Sequence, residues 1–257
     1  MHIGIIGGGI NGLCSAWVLA QQGHAVEVFE QGSLMQATSR SSSKLLHGGL
    51  RYLENYEFRL VREALRERDA WLQRAPQLAQ PLRLVLPIYR DSRRSRALVA
   101  LGLFLYDHIA GRSILPRAQW LSAAQLLERD PHLNPKGLQG GYAFFDGQMD
   151  DHGLGLWVAE QARQAGARIH QHSAVQRIAP TGVLTLQDGR ELPFERIANI
   201  AGPWALELLA PGDFAAVKRQ VDVLGEAFEP DEFLAQLEAE HRVKPEVRQR
   251  RGIGFVQ

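Results

Sequence analysis

The sequence predicts an α/β fold, and three features of the chain lead to this prediction. Residues 2–6 form an apolar segment that a glycine-rich turn joins to a helical pattern at residues 11–22, and residues 25–30 form a second apolar segment. This order of strand, turn, helix and strand is that of a βαβ unit. A similar alternation returns at residues 150–200. The composition, 45% apolar and 22% charged over 257 residues, is that of a globular protein with a sizeable core.

The other predicted elements follow from the same periodicities. Phe58, Val61, Leu65 and Leu72 recur at helical spacing and predict an amphipathic helix over residues 57–74. The serine-rich and glycine-rich stretch at 38–49 predicts a long loop, a type of segment that is usually functional. We predict further, in chain order, a strand at 82–88, helices at 122–129 and 150–165, strands at 168–178, 182–187 and 197–200 around an Asp188-Gly189 hairpin turn, and a helix at 231–242.

The chain is predicted to form two interleaved domains and a tail. The first domain takes residues 1–70 and 145–210, which contain the βαβ unit and the later alternation of helix and strands. Residues 71–144 are richer in proline and basic side chains and predict an inserted second domain. Residues 211–257 have poor periodicity and form the tail.

Charge and cysteine content exclude several classes of function. The chain carries 29 basic and 28 acidic side chains, and its basic stretch at residues 90–96 has no interleaved aromatic residues on which bases stack, so we expect no nucleic-acid partner. The single cysteine, Cys14, excludes an intrachain disulfide framework and a cysteine-based metal cluster, and we expect no metal. The N-terminus has no export-signal pattern, and the apolar run at 97–110 is shorter than the ~20 residues that span a bilayer. These features predict a cytoplasmic protein.

The turn after the first strand carries a nucleotide-binding pattern. Residues 7–12 read Gly-Gly-Gly-Ile-Asn-Gly and match G-x-G-x-x-G. Gly7 permits a tight turn, Gly9 lets the backbone approach a pyrophosphate, and Gly12 lets helix and strand pack closely. The helix N-terminus attracts phosphate, and Glu30, at the end of the second strand, accepts hydrogen bonds from ribose hydroxyls. We predict a Rossmann dinucleotide site, and this unit alone does not distinguish NAD from FAD.

The loop after this unit distinguishes between the two dinucleotides. Residues 38–54, Thr-Ser-Arg-Ser-Ser-Ser-Lys-Leu-Leu-His-Gly-Gly-Leu-Arg-Tyr-Leu-Glu, resemble the second signature of FAD-dependent glycerol-3-phosphate dehydrogenases. The similarity covers about residues 1–210 and continues through residues 55–60, 103–108, 150–151 and 199–204. The resemblance implies a glutathione-reductase-like FAD-binding domain with an inserted partial substrate domain. It also implies oxidation of sn-glycerol 3-phosphate to dihydroxyacetone phosphate, with electrons passing to quinone.

The resemblance further implies which residues contact FAD and the substrate. Arg51 and Tyr52 are expected to contact the substrate near the flavin, since a guanidinium suits an anionic or polyhydroxylated ligand. His47 either takes part in proton transfer or positions the loop, and the sequence does not decide between these roles. The predicted cofactor-binding residues are Gly7, Gly9, Ile10, Asn11, Gly12, Glu30, Gln31, Thr38, Ser39, Ser42, Ser43, Leu45, His47, Gly48, Val175 and Gly202.

Two further functions remain open beside this one. An amino-acid or hydroxy-acid oxidase shares the nucleotide pattern but is not expected to carry residues 47–54 in this form. The second alternative is a non-catalytic FAD-binding remnant. The feature in its favour is that later family segments, which bind the anionic substrate and cover the flavin, have no counterpart here. In addition, the family's Ala-Arg-Leu after Asp150-Asp151 is replaced by residues 152–154, His-Gly-Leu. We therefore expect slow turnover by this chain alone.

The basic stretch before the apolar run allows two interpretations. Arg90, Arg93, Arg94 and Arg96 precede residues 98–109, and this pattern predicts a peripheral anchor at the inner face of the cytoplasmic membrane, with cations at lipid headgroups. The same pattern is typical of an ordinary basic loop before a core helix.

Overall fold

The computed structural model describes residues 1–111, 113–205 and 207–208. They form two compact units: residues 1–34 with the described residues from 159 onward make the first, and residues 35–158 the second. The strands are β1 (His2–Ile6), β2 (Ala25–Phe29), β3 (Leu45–Leu46), β4 (Ala79–Tyr89), β5 (Gln119–Ser122), β6 (Leu138–Met149), β7 (Arg168–His170), β8 (Val175–Ala179), β9 (Val183–Leu186), β10 (Glu191–Pro193) and β11 (Arg196–Asn199). The α-helices are α1 (Ile10–Gln21), α2 (Phe58–Arg74), α3 (Arg96–Ile109), α4 (Ala123–Arg129) and α5 (Asp151–Gln164).

The first unit is built on a parallel sheet in the order β11-β1-β2-β7. The strands β1 and β2 read as nearly continuous apolar runs because they are buried on both faces, and Ile5 and Val28 have no exposed surface. Helix α1 packs small residues, Ala16 and Ala20, into the same core as Ala162. The predicted α/β fold with its opening βαβ unit is confirmed.

An antiparallel sheet in the order β10-β9-β8 completes the first unit. Leu184 and Leu186 of β9 are buried in its core beside Ile178 of β8. The predicted Asp188-Gly189 turn joins β9 to β10, and the positive φ of Gly189, +87°, is one that glycine adopts without strain.

The prediction of one strand over residues 168–178 is wrong. The structure has two strands there, β7 in the parallel sheet and β8 in the antiparallel one. The chain between them turns toward the end of β2: the His172 N–H donates to the Gly32 carbonyl (3.0 Å) and the Ser173 N–H to the Glu30 carbonyl (2.8 Å). His172 has a φ of +52°, which breaks the extended backbone.

The second unit is built on the long antiparallel pair of β4 and β6, with β3 and β5 on the other side of β6. The amphipathic helix predicted at residues 57–74 is confirmed as α2, which buries Val61, Leu65 and Leu72. Strand β6 has no counterpart in the sequence prediction, because its glycines and Asp146 interrupt the apolar alternation that indicates a strand.

None of the described helices is both long and apolar enough to cross a membrane. The helix predicted at residues 231–242 lies outside the described residues. The compact units change at residues 34 and 158, and the functional division at residues 70, 144 and 210 stays a prediction.

Candidate functional site

The glycine turn at residues 7–12 is fixed by backbone contacts within the first unit. The Gly7 N–H donates to the Phe29 carbonyl (2.9 Å), and Gly7 has a φ of +114°. A Cβ on Gly7 would lie 2.3 Å from the Ile200 carbonyl oxygen, and a Cβ on Gly12 would lie 2.0 Å from the Gly7 carbonyl oxygen. The packing of the unit itself therefore requires glycine at both positions.

The N-terminus of α1 follows this turn and has the character of an anion site. Gly9 is the N-cap residue, and it supplies no side chain to cap the helix. The first turn contains no acidic residue, so the partial positive charge of the helix N-terminus is not countered there. Ile10 and the exposed Asn11 are the first two helical residues. Backbone N–H groups at such a terminus suit a diphosphate.

Glu30 lies beside the turn and is held by backbone donors. Its Oε2 accepts from the Gly8 N–H (2.7 Å) and its Oε1 from the Gly32 N–H (2.9 Å). A carboxylate offers about four lone-pair sites, so each oxygen can accept a further bond from a ribose hydroxyl. Gln31, the next residue, is exposed. The arrangement fits the adenosine ribose of a dinucleotide.

Gly202 and Val175 also belong to the first unit. Gly202 begins the 3₁₀ turn Gly202–Trp204 with a φ of +58°, and a Cβ on it would have no described atom within 4 Å. Its neighbour Ala201 has its Cα 3.2 Å from the position a Cβ of Gly7 would take, so this segment adjoins the glycine turn. Val175 begins β8 opposite Leu186, in the antiparallel sheet.

The first half of the loop at residues 38–55 is anchored in the second unit by Asp151. Thr38 and Ser39 lie in a 3₁₀ turn, and the exposed Ser43 follows. The Ser42 hydroxyl donates to Asp151 Oδ2 (2.9 Å), and Lys44 Nζ donates to Asp151 Oδ1 (2.6 Å). Burial by itself raises the pKa of Asp151, but the hydrogen bonds from Lys44 and Ser42 lower it below its ordinary value. An ionised carboxylate thus holds this half of the loop.

The second half of the loop is held by a buried polar network that the sequence analysis missed. Leu45 and the next residue form β3, and the exposed His47 follows. The Gly48 N–H donates to the Tyr106 hydroxyl (2.7 Å), which donates to Asp146 Oδ1 (2.8 Å), and Arg68 Nη1 donates to the same oxygen (2.8 Å). Arg68 and Asp146 are each only 3% exposed.

A sequence signal for this network exists on α2. Arg68 falls between Leu65 and Leu72 at the spacing of the apolar face. A charged residue at such a position predicts a buried partner of opposite charge. The sequence does not say which acid it is, because Asp146 lies on a strand 78 residues away.

Arg51 and Tyr52 lie in the 3₁₀ turn Leu50–Asn55, directly after Gly49. Gly49 has a φ of +72°, and a Cβ on it would lie 2.3 Å from the Tyr52 ring. The Tyr52 N–H donates to the Gly49 carbonyl (2.8 Å), so the ring is held against the loop backbone. Both Arg51 and Tyr52 are exposed, which makes a cation and a phenol available to a ligand.

The predicted site residues thus fall into two groups. The structure brings Gly7–Gly12, Glu30 and Gly202 together in the first unit, and it joins the residues of the loop at 38–55 in the second. Among the described residues, no cluster of three or more His, Cys, Asp or Glu side chains is arranged to hold a metal ion.

Comparisons with known proteins show the family to which the chain is similar. A family model described as FAD dependent oxidoreductase matches residues 2–255. The chain is 39% identical over 216 residues to a glycerol-3-phosphate dehydrogenase of Pseudomonas aeruginosa, covering 80% of this chain and 41% of the relative. It is 41% identical over 215 residues to a D-erythritol 1-phosphate dehydrogenase of Brucella abortus, covering 80% and 42%. The chain therefore spans about two fifths of the length of these relatives.

The fold also resembles a solved structure. The glycerol-3-phosphate dehydrogenase from Bacillus halodurans, complexed with FAD, superimposes with a TM-score of 0.60 at 22% identity. The match covers 79% of this chain and 34% of that one. At this identity the likeness shows the fold alone.

Proposed function

The chain belongs to the FAD-dependent oxidoreductase family, and we propose that its substrate is sn-glycerol 3-phosphate, which is oxidised to dihydroxyacetone phosphate with the electrons passed to quinone. The observation that carries this proposal is that three relatives, 36–42% identical to the chain, are named glycerol-3-phosphate dehydrogenases. The sequence pattern at residues 47–54, which resembles a signature of the same enzymes, is consistent with this substrate. The chain spans about two fifths of the length of these relatives. We therefore propose the activity for the site that the residues of this chain help to form.

FAD is the cofactor of this family, and the first unit fits it. The N-terminus of α1, whose N-cap residue is Gly9 and whose first turn has no acidic residue, suits the diphosphate. Glu30, held by Gly8 and Gly32, keeps lone pairs for the adenosine ribose. We propose that Ser42, Ser43, Leu45, His47 and Gly48 contact the flavin side of the cofactor.

The chain's own residues would bind and orient the substrate. When bound, FAD supplies an acceptor for the hydride that leaves C2 of the alcohol. Arg51 would pair with the phosphate or hydroxyl oxygens of the substrate, and its guanidinium is rigid enough to fix their direction. The Tyr52 ring, seated on Gly49, would form one wall of the substrate site and exclude water from it.

D-erythritol 1-phosphate is the second candidate substrate, since the relative from Brucella abortus acts on it. Both candidates are phosphate monoesters of a polyol. The relatives therefore favour a polyol phosphate over the substrate of an amino-acid or hydroxy-acid oxidase.

The test is anaerobic reduction of the flavin in the purified chain. We expect bound FAD, and bleaching of its visible absorbance by sn-glycerol 3-phosphate, faster than by D-erythritol 1-phosphate and not by amino acids. Reoxidation by a water-soluble quinone tests the acceptor. Bleaching by an amino acid alone would disprove the substrate class, and FAD that no substrate reduces would favour the non-catalytic remnant.

Arg51→Ala sharpens this test. Loss of the guanidinium should slow bleaching by about 10–100-fold, since it removes a positioning contact to the substrate. Arg62→Ala is the matched control, because Arg62 is an exposed arginine on α2 in the same unit. Equal rates for the two variants would remove Arg51 from the substrate site.

Helix α3 supports a peripheral membrane contact as part of the same proposal. Leu98, Leu101 and Phe104 are 56%, 54% and 56% exposed and lie three residues apart, on one face of the helix. Of the nearby arginines, Arg94 pairs with Glu54, and the Arg96 guanidinium lies 3.9 Å from the centre of the Trp120 ring. Two of the four arginines are thus engaged within the unit, whereas Arg90 and Arg93 are exposed, so both the apolar face and these cations are available to a membrane.

Co-sedimentation with liposomes tests this contact. Replacing Leu98, Leu101 and Phe104 by serine should abolish binding to anionic vesicles, whereas Leu60→Ser, which removes an exposed leucine of α2, should leave it unchanged. Salt should weaken the binding, since each basic residue near anionic lipid adds about 1 kcal/mol. Binding that survives the triple substitution would make α3 an ordinary surface helix.

A further inference from the structure

The Gly48 N–H is a buried donor with no partner in the sheet. Strand β3 ends at Leu46, opposite Gly147 of β6, and the loop leaves the sheet there. Two residues later the Gly48 N–H points into the core, where it donates to the Tyr106 hydroxyl at 2.7 Å and, more weakly, to Asp146 Oδ1 at 3.3 Å. Buried N–H groups in proteins are almost always paired. Here the acceptors are side chains rather than the backbone of a neighbouring strand.

The polarity of these bonds is fixed by the ion pair behind them. Asp146 accepts from Arg68 Nη1 at 2.8 Å, and Arg68 is also held by Asp69, whose Oδ1 lies 2.9 Å from Arg68 Nε. An ionised carboxylate only accepts hydrogen bonds, so the Tyr106 O–H must donate to Asp146. The phenol oxygen is then left to accept from Gly48. Burial and the neighbouring Asp146 carboxylate raise the pKa of Tyr106, so the phenol stays protonated.

The packing around Gly48 leaves no room for a side chain at this residue. A Cβ on Gly48 would lie 2.2 Å from Leu65 Cδ2 and 2.5 Å from the Tyr106 hydroxyl. Glycine is therefore required here by the core of the second unit, whether or not a ligand lies on the other side. The Gly48 backbone lies against this core, directly after the exposed His47, and continues through Gly49 to Arg51 and Tyr52.

We propose that Tyr106 is a positioning residue: its hydroxyl sets the backbone of residues 47–49 and, through it, the flavin ring. Asp146 and Arg68 orient that hydroxyl. The part that concerns the flavin rests on the proposed function, in which residues 45–48 contact FAD. The part that concerns the backbone stands on the contacts alone.

Tyr106→Phe tests the proposal in the full chain loaded with FAD. The ring keeps its edge contact with Phe144, at 6.5 Å between centroids, and only the hydroxyl is lost. The Gly48 amide should exchange its hydrogen about tenfold faster or more, because its main acceptor is gone. The visible spectrum and the reduction potential of the bound flavin should shift as well. Tyr142→Phe is the matched control, because Tyr142 is a half-buried tyrosine of the same unit that packs on Trp120.

The two readouts separate the possible failures. Unchanged exchange at Gly48 overturns the proposal. Faster exchange with an unchanged flavin spectrum and potential overturns it too, since Tyr106 then holds the loop without acting on the flavin. The proposed function is judged separately, by the FAD content of the wild-type chain and its reduction by sn-glycerol 3-phosphate.

A second variant covers the case in which Tyr106→Phe does not fold. Asp146→Asn keeps the side-chain volume and one acceptor oxygen, and Arg68 retains Asp69. The amide group that this substitution introduces can donate to the phenol oxygen and so compete with the Gly48 N–H. Exchange at Gly48 and the flavin potential should therefore change in the same direction as for Tyr106→Phe. No change in either would overturn the proposal.

Discussion

The glycine turn at residues 7–12 and the loop at residues 38–55 both need glycine at particular positions, but different contacts fix them. In the turn, backbone groups contact other backbone groups: the Gly7 N–H donates to the Phe29 carbonyl, and Gly12 packs on the Gly7 carbonyl. In the loop, the backbone is held by a network of buried side chains from α2, α3 and β6. The first arrangement follows from local spacing, and the second requires residues far apart in the chain. A fixed sequence pattern therefore suffices for the turn, whereas the loop depends on the folding of its whole unit.

Arg68→Ala should produce the largest effect, because it breaks the ion pair beneath the loop. Burial alone lowers the pKa of Arg68, but its hydrogen bonds to Asp146 and Asp69 raise it, so the guanidinium is charged. Removing one partner of a buried pair lowers the free energy of unfolding by about 3–5 kcal/mol. Urea denaturation measures this difference. Arg66→Ala, at an exposed arginine of the same helix, is the control, and equal losses for the two variants would contradict a buried network.

Gly12→Ala tests the other region. The added Cβ would lie 2.0 Å from the Gly7 carbonyl oxygen, so the start of α1 must move away from the turn at Gly7. Overpacking of this kind costs about 1–3 kcal/mol, and the purified variant should contain little FAD because the helix N-terminus is displaced. Gly102→Ala is the control: a Cβ there meets no described atom within 4 Å. Normal flavin content in a folded Gly12→Ala protein would show that the turn tolerates a side chain.

The same contrast explains what the sequence predicts well. Strands β1 and β2 and helices α1 and α2 are predictable because apolar periodicity and the glycine spacing are local. Strand β6 is not, since Asp146 near its C-terminal end is explained only by Arg68 and Tyr106. For Gly48, the sequence suggests a flavin contact as the reason for glycine. The structure adds a second reason, the packing of Leu65 and Tyr106.

Glu27→Gln measures how much side-chain contacts contribute to the free energy of unfolding in the first unit. Glu27 on β2 accepts from His2 on β1 (2.9 Å) and from His170 (2.7 Å) and Arg168 (2.7 Å) on β7. These contacts join three parallel strands, but they lie near the surface. We expect a loss of about 1–2 kcal/mol at neutral pH, smaller than for Arg68. Glu191→Gln, at an exposed glutamate of β10, should cost less.

The pH dependence of this loss has a definite sign. Burial on its own raises the pKa of Glu27, but hydrogen bonds from His170 and His2 and the charge of Arg168 lower it below its ordinary value of 4.5. Its stabilisation is therefore complete above pH 4.5 and is lost as the pH falls through the folded-state pKa. The difference between wild type and Glu27→Gln should shrink in acid. A constant difference would mean that the amide disturbs packing rather than charge.

Ser42→Ala should have the smallest effect, because it removes one of several bonds to Asp151. The hydroxyl donates to Asp151 Oδ2 at 2.9 Å, while Lys44 and the Ser42 N–H still hold the carboxylate. We expect a loss of about 1 kcal/mol, read by urea denaturation with Ser41→Ala, an exposed neighbour, as the control.

The loss of the free energy of unfolding in acid, here called the acid transition, gives the sharper measurement. The folded-state pKa of Asp151 lies below its ordinary value of 3.8, against the effect of burial, because Lys44 and Ser42 donate to it. Its stabilisation is present above that value and is lost as the pH falls. Without the Ser42 hydroxyl the folded-state pKa should rise, so the loss should begin at a higher pH. If flavin content falls while the acid transition is unchanged, Ser42 acts on the cofactor directly, and this half of the loop resembles the glycine turn more than the network around Tyr106.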